Sequence, residues 1–159
     1  MLKLLPILFF AAVNITQISI FEIDGIFSNS HINAIQRYIG ENDLRETSLF
    51  VIQYNASDTS ENSVVELQEL LKGIKTPKAI WVGPNETTVD ARLLKSFDYV
   101  GISPGTTIIN KLSNNEFEFI NQEGIYEGYM VVGSIGAFIE NLGNEKIISN
   151  IISEESGTS

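Results

Sequence analysis

The first part of the chain alternates between the hydrophobic patterns of strands and helices. Residues 18–23 alternate apolar and polar side chains and stop at Asp24-Gly25, which predicts a strand that ends in a turn. Ser30 then stands where a helix N-cap is expected, because isoleucines follow it at helical spacing and Gly40 can end the helix. The pattern therefore predicts a strand followed by a short amphipathic helix.

The same alternation continues through the middle of the chain. Residues 49–52 form a continuous apolar run, which is typical of a strand covered on both faces in a parallel sheet. Ser60 or Asn62 can cap the next helix, whose broad apolar face ends before Gly73. Residues 79–82 predict a third strand.

The last part of the chain carries weaker signals of the same kind. Residues 90–97 predict a helix and residues 98–102 a fourth strand, which leads into a turn at 103–106. Further strands are expected at 117–119 and 130–132, and a helix from Ser134 to Gly143. Strands and helices that alternate with short connections predict βαβ units and a layered α/β core.

Composition limits the kinds of partner and chemistry. A chain of 159 residues with 43% hydrophobic side chains fits one folded domain. The formal charge of −10 repels the phosphate backbone, so we expect no nucleic-acid partner. Without cysteine there is no disulfide, no thiolate nucleophile and no cysteine-based metal site.

The N-terminus has the pattern of an export signal. Lys3 precedes an apolar run at residues 4–13 that is too short to cross a bilayer, so residues 1–17 predict a signal peptide or a short membrane-tethering segment. A buried first strand is the alternative interpretation. We therefore expect an exported chain, secreted or membrane-associated, with one domain at 18–152 and a disordered tail at 153–159.

Four segments in order resemble one family: residues 21–26, 51–55, 76–84 and 103–106, which read FEIDGI, VIQYN, TPKAIWVGP and SPGT. This series resembles the N-terminal peptidase domain of NfeD-type membrane serine proteases, in the Clp-protease/crotonase superfamily. The resemblance implies an α/β fold of the ClpP/crotonase type, a layered spiral of ββα units, here truncated. It also implies an exported domain that cuts peptides with a serine–lysine dyad.

The chain departs from that family where the oxyanion hole is expected. The family places a Thr-Pro-Gly-Gly turn after the second strand, and this chain has Ala56, Ser57, Asp58 and Thr59 there. Both glycines are replaced, and Asp58 brings a carboxylate to a position that stabilises negative charge in the family. We expect Asp58 instead to cap the following helix or to charge its first turn.

The two members of the dyad are also replaced. Thr88 stands at the position of the serine, and Lys111 is the only lysine in the interval where the base is expected. A threonine hydroxyl can act as a nucleophile beside a base. The alternative interpretation makes Thr87 and Thr88 loop residues, Asp90 a helix cap and Lys111 a solvated surface lysine.

Other kinds of site find little support in the sequence. His31 is the only histidine and lies in the first turn of a predicted helix, so we interpret it as a surface residue. No phosphate loop, dinucleotide fingerprint or metal-ligand spacing is present in the sequence, and we expect neither a metal nor a cofactor.

Three hypotheses about function follow. The leading one is a non-catalytic relative of the peptidase domain that acts as a binding or assembly module, and its alternative is a weakly active, membrane-associated peptidase that uses Thr88 and Lys111. The third is a subunit that assembles through its sheet edges or helix faces, as a homo-oligomer or with a membrane-protein partner. Its candidate surface is the apolar segment 129–132 beside Ile135 and Phe138. Ordinary core is the competing interpretation of that segment.

Overall fold

The computed structural model describes residues 17–41, 47–111 and 116–144. The predicted signal at 1–17, apart from its last residue, and the predicted tail at 153–159 lie outside the described residues. Nine strands are described: β1 (Ile18–Phe27), β2 (Leu49–Thr59), β3 (Lys78–Val82), β4 (Thr88–Asp90), β5 (Tyr99–Ile102), β6 (Thr106–Asn110), β7 (Glu116–Ile120), β8 (Gly124–Tyr126) and β9 (Tyr129–Val131). Four helices accompany them: α1 (Asn29–Glu41), α2 (Glu61–Lys72), α3 (Ala91–Leu94) and α4 (Ile135–Asn144).

The strands form two sheets. The larger sheet has the order β1-β2-β3-β5-β9-β8 and the smaller one the order β4-β6-β7. The first five strands of the larger sheet run parallel to one another, which confirms the predicted parallel sheet, and β8 pairs antiparallel with β9 at its edge. β3 of the larger sheet is followed along the chain by β4 of the smaller sheet, and β5 of the larger sheet is followed by β6 of the smaller one. The chain therefore passes back and forth between the two sheets.

Helices cover both faces of the larger sheet. On one face, Ile32 and Ile35 of α1 and Leu67 of α2 join the main hydrophobic cluster. On the other face, Phe138 and Leu142 of α4 pack with a second cluster that contains Trp81. The segment 129–132 belongs to this interior, because Val131 and Phe138 are buried and Met130 packs against the second cluster, so the core interpretation of that segment is confirmed.

Several predicted boundaries were wrong. β1 does not stop at Asp24-Gly25 but continues to Phe27, because a β-bulge at Gly25 lets it stay paired with β2. α1 begins at Asn29, and the carbonyl of Ser28, not of Ser30, accepts the first helical N–H groups. The helix predicted at 90–97 is limited to Ala91–Leu94. In contrast, Ser60 caps α2 and the segment 117–119 lies in β7, as predicted.

Gly101 of β5 allows α4 to pack closely on the larger sheet. A Cβ atom at this position would lie 2.4 Å from Cδ1 of Phe138. We expect Gly101→Ala to lower the free energy of unfolding by about 1–3 kcal/mol, since the buried Phe138 ring must move. Urea unfolding followed by circular dichroism measures this change.

Gly136 in α4 offers the matched control. Its added Cβ would find only the hydroxyl of Ser134 at 4.0 Å, so Gly136→Ala should stabilise the chain by up to about 1 kcal/mol through helix propensity. Equal stability of the Gly101→Ala variant and the unsubstituted chain would contradict the close packing of the Phe138 ring on Gly101.

Within residues 17–41, 47–111 and 116–144, none of the four helices has the length and hydropathy of a membrane-spanning segment.

Candidate functional site

One cleft brings together most of the residues that the sequence singled out. It has a volume of about 200 Å³ and lies where the end of β2 and the start of α2 face β4 and the end of β6. Its lining residues are Ser57, Asp58, Thr59, Ser60, Glu61, Val64, Thr88, Asp90, Ile109 and Lys111. Ala56 is buried and does not line the cleft.

The expected oxyanion turn is a strand. Residues 56–59 continue β2, and Ala56, Asp58 and Thr59 pair with Gly25, Ile26 and Phe27 of β1. Ser57 is the extra residue of the bulge and is exposed. This backbone is paired with a neighbouring strand, so residues 56–59 do not form a turn like the one that the family resemblance implies at this position.

Asp58 does not cap α2. Its Oδ1 accepts the backbone N–H of Thr59 at 2.8 Å, while Oγ of Ser60 accepts the N–H of Ser63 at 3.1 Å. The expectation that Asp58 provides the cap was therefore wrong, because the serine two residues later already occupies that position. The Asp58 carboxylate remains exposed at the wall of the cleft.

Tyr54 supports this wall from inside the protein. Its ring is buried and its hydroxyl forms a hydrogen bond with Oγ1 of Thr59. Burial raises the pKa of Tyr54 to about 12, so the phenol stays neutral over the ordinary pH range. Tyr54 thus acts as a positioning group for the end of β2.

Thr88 lies on a strand rather than in a loop. It begins β4, stands opposite Thr107 of β6 and is exposed to the cleft, whereas its neighbour Thr87 is buried. The loop interpretation of Thr88 was therefore wrong. The interpretation of Asp90 as a helix cap is confirmed, since its Oδ1 accepts the N–H of Arg92 at 2.9 Å.

Four charged side chains form a connected series of ion pairs at the cleft. Nζ of Lys111 lies 3.0 Å from Oε2 of Glu61, and Nη2 of Arg92 lies 2.7 Å from Oε1 of the same carboxylate. Arg92 also lies 2.7 Å from Oδ2 of Asp90, whose side chain is only 8% exposed. Glu61 thus binds both cations, and Arg92 binds both carboxylates.

These contacts shift the pKa values of the carboxyl groups. Burial favours the neutral form of Asp90, but the hydrogen bonds from Arg92 outweigh it and hold the pKa of Asp90 below its ordinary value. Hydrogen bonds from Lys111 and then from Arg92 lower the pKa of Glu61. Both acids therefore stay ionised, and the Asp90 and Glu61 carboxylates in turn raise the pKa of Arg92.

The two residues of the predicted dyad share the cleft but do not bind each other. Among the described residues, no hydrogen bond joins the Thr88 hydroxyl to the Lys111 amine, which is held by Glu61 instead. The Lys111 side chain is 44% exposed, so it lacks the dry surroundings that a lysine base requires. The cleft holds a hydroxyl and an amine without the contact that activates a nucleophile.

The side-chain amide of Asn55 forms a set of hydrogen bonds beside the cleft that the sequence does not predict. Oδ1 of Asn55 accepts hydrogen bonds from N of Asn85 at 3.4 Å and from Oγ1 of Thr87 at 3.3 Å. Nδ2 of Asn55 donates to Oδ1 of Asp24 at 3.1 Å. These hydrogen bonds fix the loop at 83–87, which leads into β4 and Thr88, to the ends of β1 and β2.

His31 lies outside the cleft. It is half-buried, its ring stands 5.9 Å from that of Phe27, and its Nδ1 accepts the N–H of Ser28 at 3.4 Å. The interpretation of His31 as a surface residue is therefore confirmed only in part, because the residue is partly exposed but its ring packs on Phe27. Within 17–41, 47–111 and 116–144, no group of three or more histidine, aspartate and glutamate side chains is placed to hold a metal ion.

Comparisons with known proteins identify the fold. No protein-family model matches the sequence, and no curated protein matches it. A solved membrane protease specific for a stomatin homolog from Pyrococcus horikoshii superposes with a TM-score of 0.63 at 13% identity, over 78% of this chain and 77% of that one.

Two further solved structures agree with this result. A mutant of a membrane-bound stomatin-specific protease superposes with a TM-score of 0.51 at 13% identity, over 84% of this chain and 62% of that one. A probable enoyl-CoA hydratase from Mycobacterium tuberculosis superposes with a TM-score of 0.55 at 11% identity, over 82% and 78% of the two chains. The chain therefore has the ClpP/crotonase fold, as the family resemblance of its sequence implies.

Proposed function

We propose that this chain is an exported, non-catalytic relative of the NfeD-type serine peptidase domain and acts as a binding or assembly module. The observation that carries the proposal is the 3.0 Å ion pair between Lys111 and Glu61. An amine that serves as a general base must be free to take a proton from the nucleophile. Here the amine at the base position donates to a carboxylate instead.

The electrostatics of the cleft support the same proposal. Acyl transfer from a peptide develops negative charge on the carbonyl oxygen, and peptidases place N–H donors there. In this chain three carboxylates, from Asp58, Glu61 and Asp90, line the cleft. Loss of a single oxyanion donor costs a factor of about 10²–10³ in rate, and added negative charge raises that cost further.

Hydrolysis of fluorogenic peptides and of casein by the whole chain tests the proposal. We expect the unsubstituted chain and Thr88→Ala to give the same background rate, because no activated hydroxyl is present. Active-site titration of a known serine peptidase in the same buffer provides the positive control. Turnover that disappears in Thr88→Ala would overturn the proposal.

The alternative is a weakly active peptidase that uses Thr88 with Lys111. The observation in its favour is that both side chains line the same cleft. In this alternative Lys111 must leave Glu61, so Glu61→Gln should raise the rate of hydrolysis, and adding Thr88→Ala should remove that gain. A Glu61→Gln variant as inactive as the unsubstituted chain would exclude the alternative.

The module's location and partners belong to the same proposal. Residues 1–17 direct export, and mass spectrometry of the N-terminus of the exported chain tests whether the segment is removed. The solved protease specific for a stomatin homolog supports a membrane protein as partner, and self-association into a homo-oligomer is the second mode of assembly. Sedimentation of the exported chain at high concentration distinguishes a monomer from an oligomer.

A further inference from the structure

Two phenylalanines are exposed on an edge strand. Phe117 and Phe119 of β7 are 66% and 62% exposed. In the part of the chain that the structure describes, β7 is hydrogen-bonded to β6 alone, so its other edge is open. Large apolar side chains next to an open strand edge mark a surface that binds another chain.

The strand register connects this pair to the cleft. Phe119 stands opposite Thr107, which stands opposite Thr88, and these three residues lie in one row across the smaller sheet. Phe117, Ile109 and Asp90 form the next row on the same face, two positions away along each strand. Residues that stand opposite each other in neighbouring strands project to the same face, so both phenylalanines lie on the face that carries the cleft.

All charged side chains of β7 and of the described residues that follow it are acidic. Residues 116–144 contain no lysine, arginine or histidine, and their acidic residues are Glu116, Glu118, Glu123, Glu127 and Glu140. Glu116 and Glu118 alternate with the two phenylalanines along β7 and project to its other face. Glu118 is held by a hydrogen bond from the Tyr126 hydroxyl.

This charge argues against a second copy of the chain on β7. Two copies paired edge to edge would bring their Glu116 and Glu118 carboxylates together, and each chain carries a formal charge of −10. Like charges directly opposite each other on paired strands are destabilising. The surface fits a partner of opposite charge.

We infer that the open edge of β7, with Phe117 and Phe119, docks an extended segment of another protein in which apolar residues alternate with lysine or arginine. Such a segment adds as a further strand, so that its apolar side chains lie on the phenylalanines and its cations on Glu116 and Glu118. The inference deepens the proposed binding function and rests on it. It names the surface and the chemistry of the partner.

A short labelled peptide of alternating lysine and valine tests this docking with the whole chain. We expect fluorescence anisotropy to show saturable binding, and a peptide with the same composition in two blocks to bind at least about tenfold more weakly, because only alternation matches both faces of β7. Phe117→Ser with Phe119→Ser should weaken binding of the alternating peptide by about tenfold or more. Glu116→Gln with Glu118→Gln should weaken it several-fold and reduce its sensitivity to salt.

Ile125→Ser is the matched control, since Ile125 is 72% exposed on β8 and its replacement removes a comparable apolar side chain. We expect this variant to bind the alternating peptide like the unsubstituted chain. Circular dichroism confirms that each variant is folded. Unchanged binding in the double phenylalanine variant, or no binding of the peptide to the intact chain, would overturn the inference.

Two further results separate this inference from the proposed function. If the double phenylalanine variant changes the sedimentation of the chain from oligomer to monomer, then the surface binds a second copy and the inference is wrong. Peptide hydrolysis that is lost in Thr88→Ala, together with intact docking on β7, would overturn the non-catalytic proposal and leave the docking surface standing.

Discussion

Replacement of Trp81 by alanine is expected to lower the free energy of unfolding by about 3–5 kcal/mol, a large part of the about 5–15 kcal/mol that stabilises an ordinary domain. Trp81 is fully buried in β3 between the larger sheet and α4. Its Nε1 also donates to the carbonyl of Val132 at 3.2 Å. The variant therefore loses apolar contact, creates a cavity and leaves the half-buried Val132 carbonyl without this donor.

Urea unfolding followed by circular dichroism measures this loss, because Trp81 is the only tryptophan and its fluorescence disappears with the substitution. Trp81→Phe is the control variant, since it keeps an aromatic ring and removes chiefly the hydrogen bond and part of the volume. We expect it to cost clearly less than alanine. A loss of under about 1 kcal/mol in Trp81→Ala would show that α4 does not depend on this contact.

The second large effect is expected at Asp90. Asp90→Ala should lower the free energy of unfolding by about 2–4 kcal/mol, because it removes the cap of α3 and the charged hydrogen bonds to Arg92. Asp90→Asn keeps an oxygen for the cap and should cost about half as much. Asp58→Asn, at an exposed carboxylate of the same cleft, should stay within about 0.5 kcal/mol of the unsubstituted chain.

The Asp90 contribution should also depend on pH. The pKa of Asp90 is lower in the folded chain than in the unfolded one, so its stabilisation is fully present above the unfolded value of about 3.9. It is lost as the pH falls through the folded pKa. The difference in stability between the unsubstituted chain and Asp90→Asn should therefore be constant at neutral pH and shrink in acid. A difference that grows below pH of about 4 would contradict the ion pair with Arg92.

The sequence predicts the larger sheet better than the smaller one. The run at 49–52 and the capped helix after Ser60 follow local rules, because continuous apolar residues and a serine N-cap have few other interpretations. β4 has three residues, and the sequence around it is polar, so no period can be recognised there. The end of β2 is a strand only because β1 continues beside it, which is a tertiary effect.

The candidate site also contains some features that local sequence patterns predict and others that depend on tertiary contacts. Asp90 was predicted as a helix cap from its position alone, since the helix that it caps follows directly. Thr88 and Lys111 were found through the family resemblance, and the structure places both at one cleft. The ion pair between Lys111 and Glu61 joins residues that are 50 positions apart in the sequence, and no local pattern predicts such a contact.

The winding of the chain between the two sheets has a consequence for how the protein opens. Because β3 continues into β4 and β5 into β6, neither sheet can separate from the other without stretching these connections. Amide hydrogens of β4 and β6 should then exchange with solvent in one cooperative event with those of β3 and β5, although the smaller sheet has few strands. The cleft lies at this junction, where the charges of Glu61, Arg92 and Asp90 link α2 to α3. The ion pairs of Glu61 with Arg92 and Lys111 should slow this opening, because Arg92 and Lys111 follow closely after the ends of β4 and β6 and bind the start of α2.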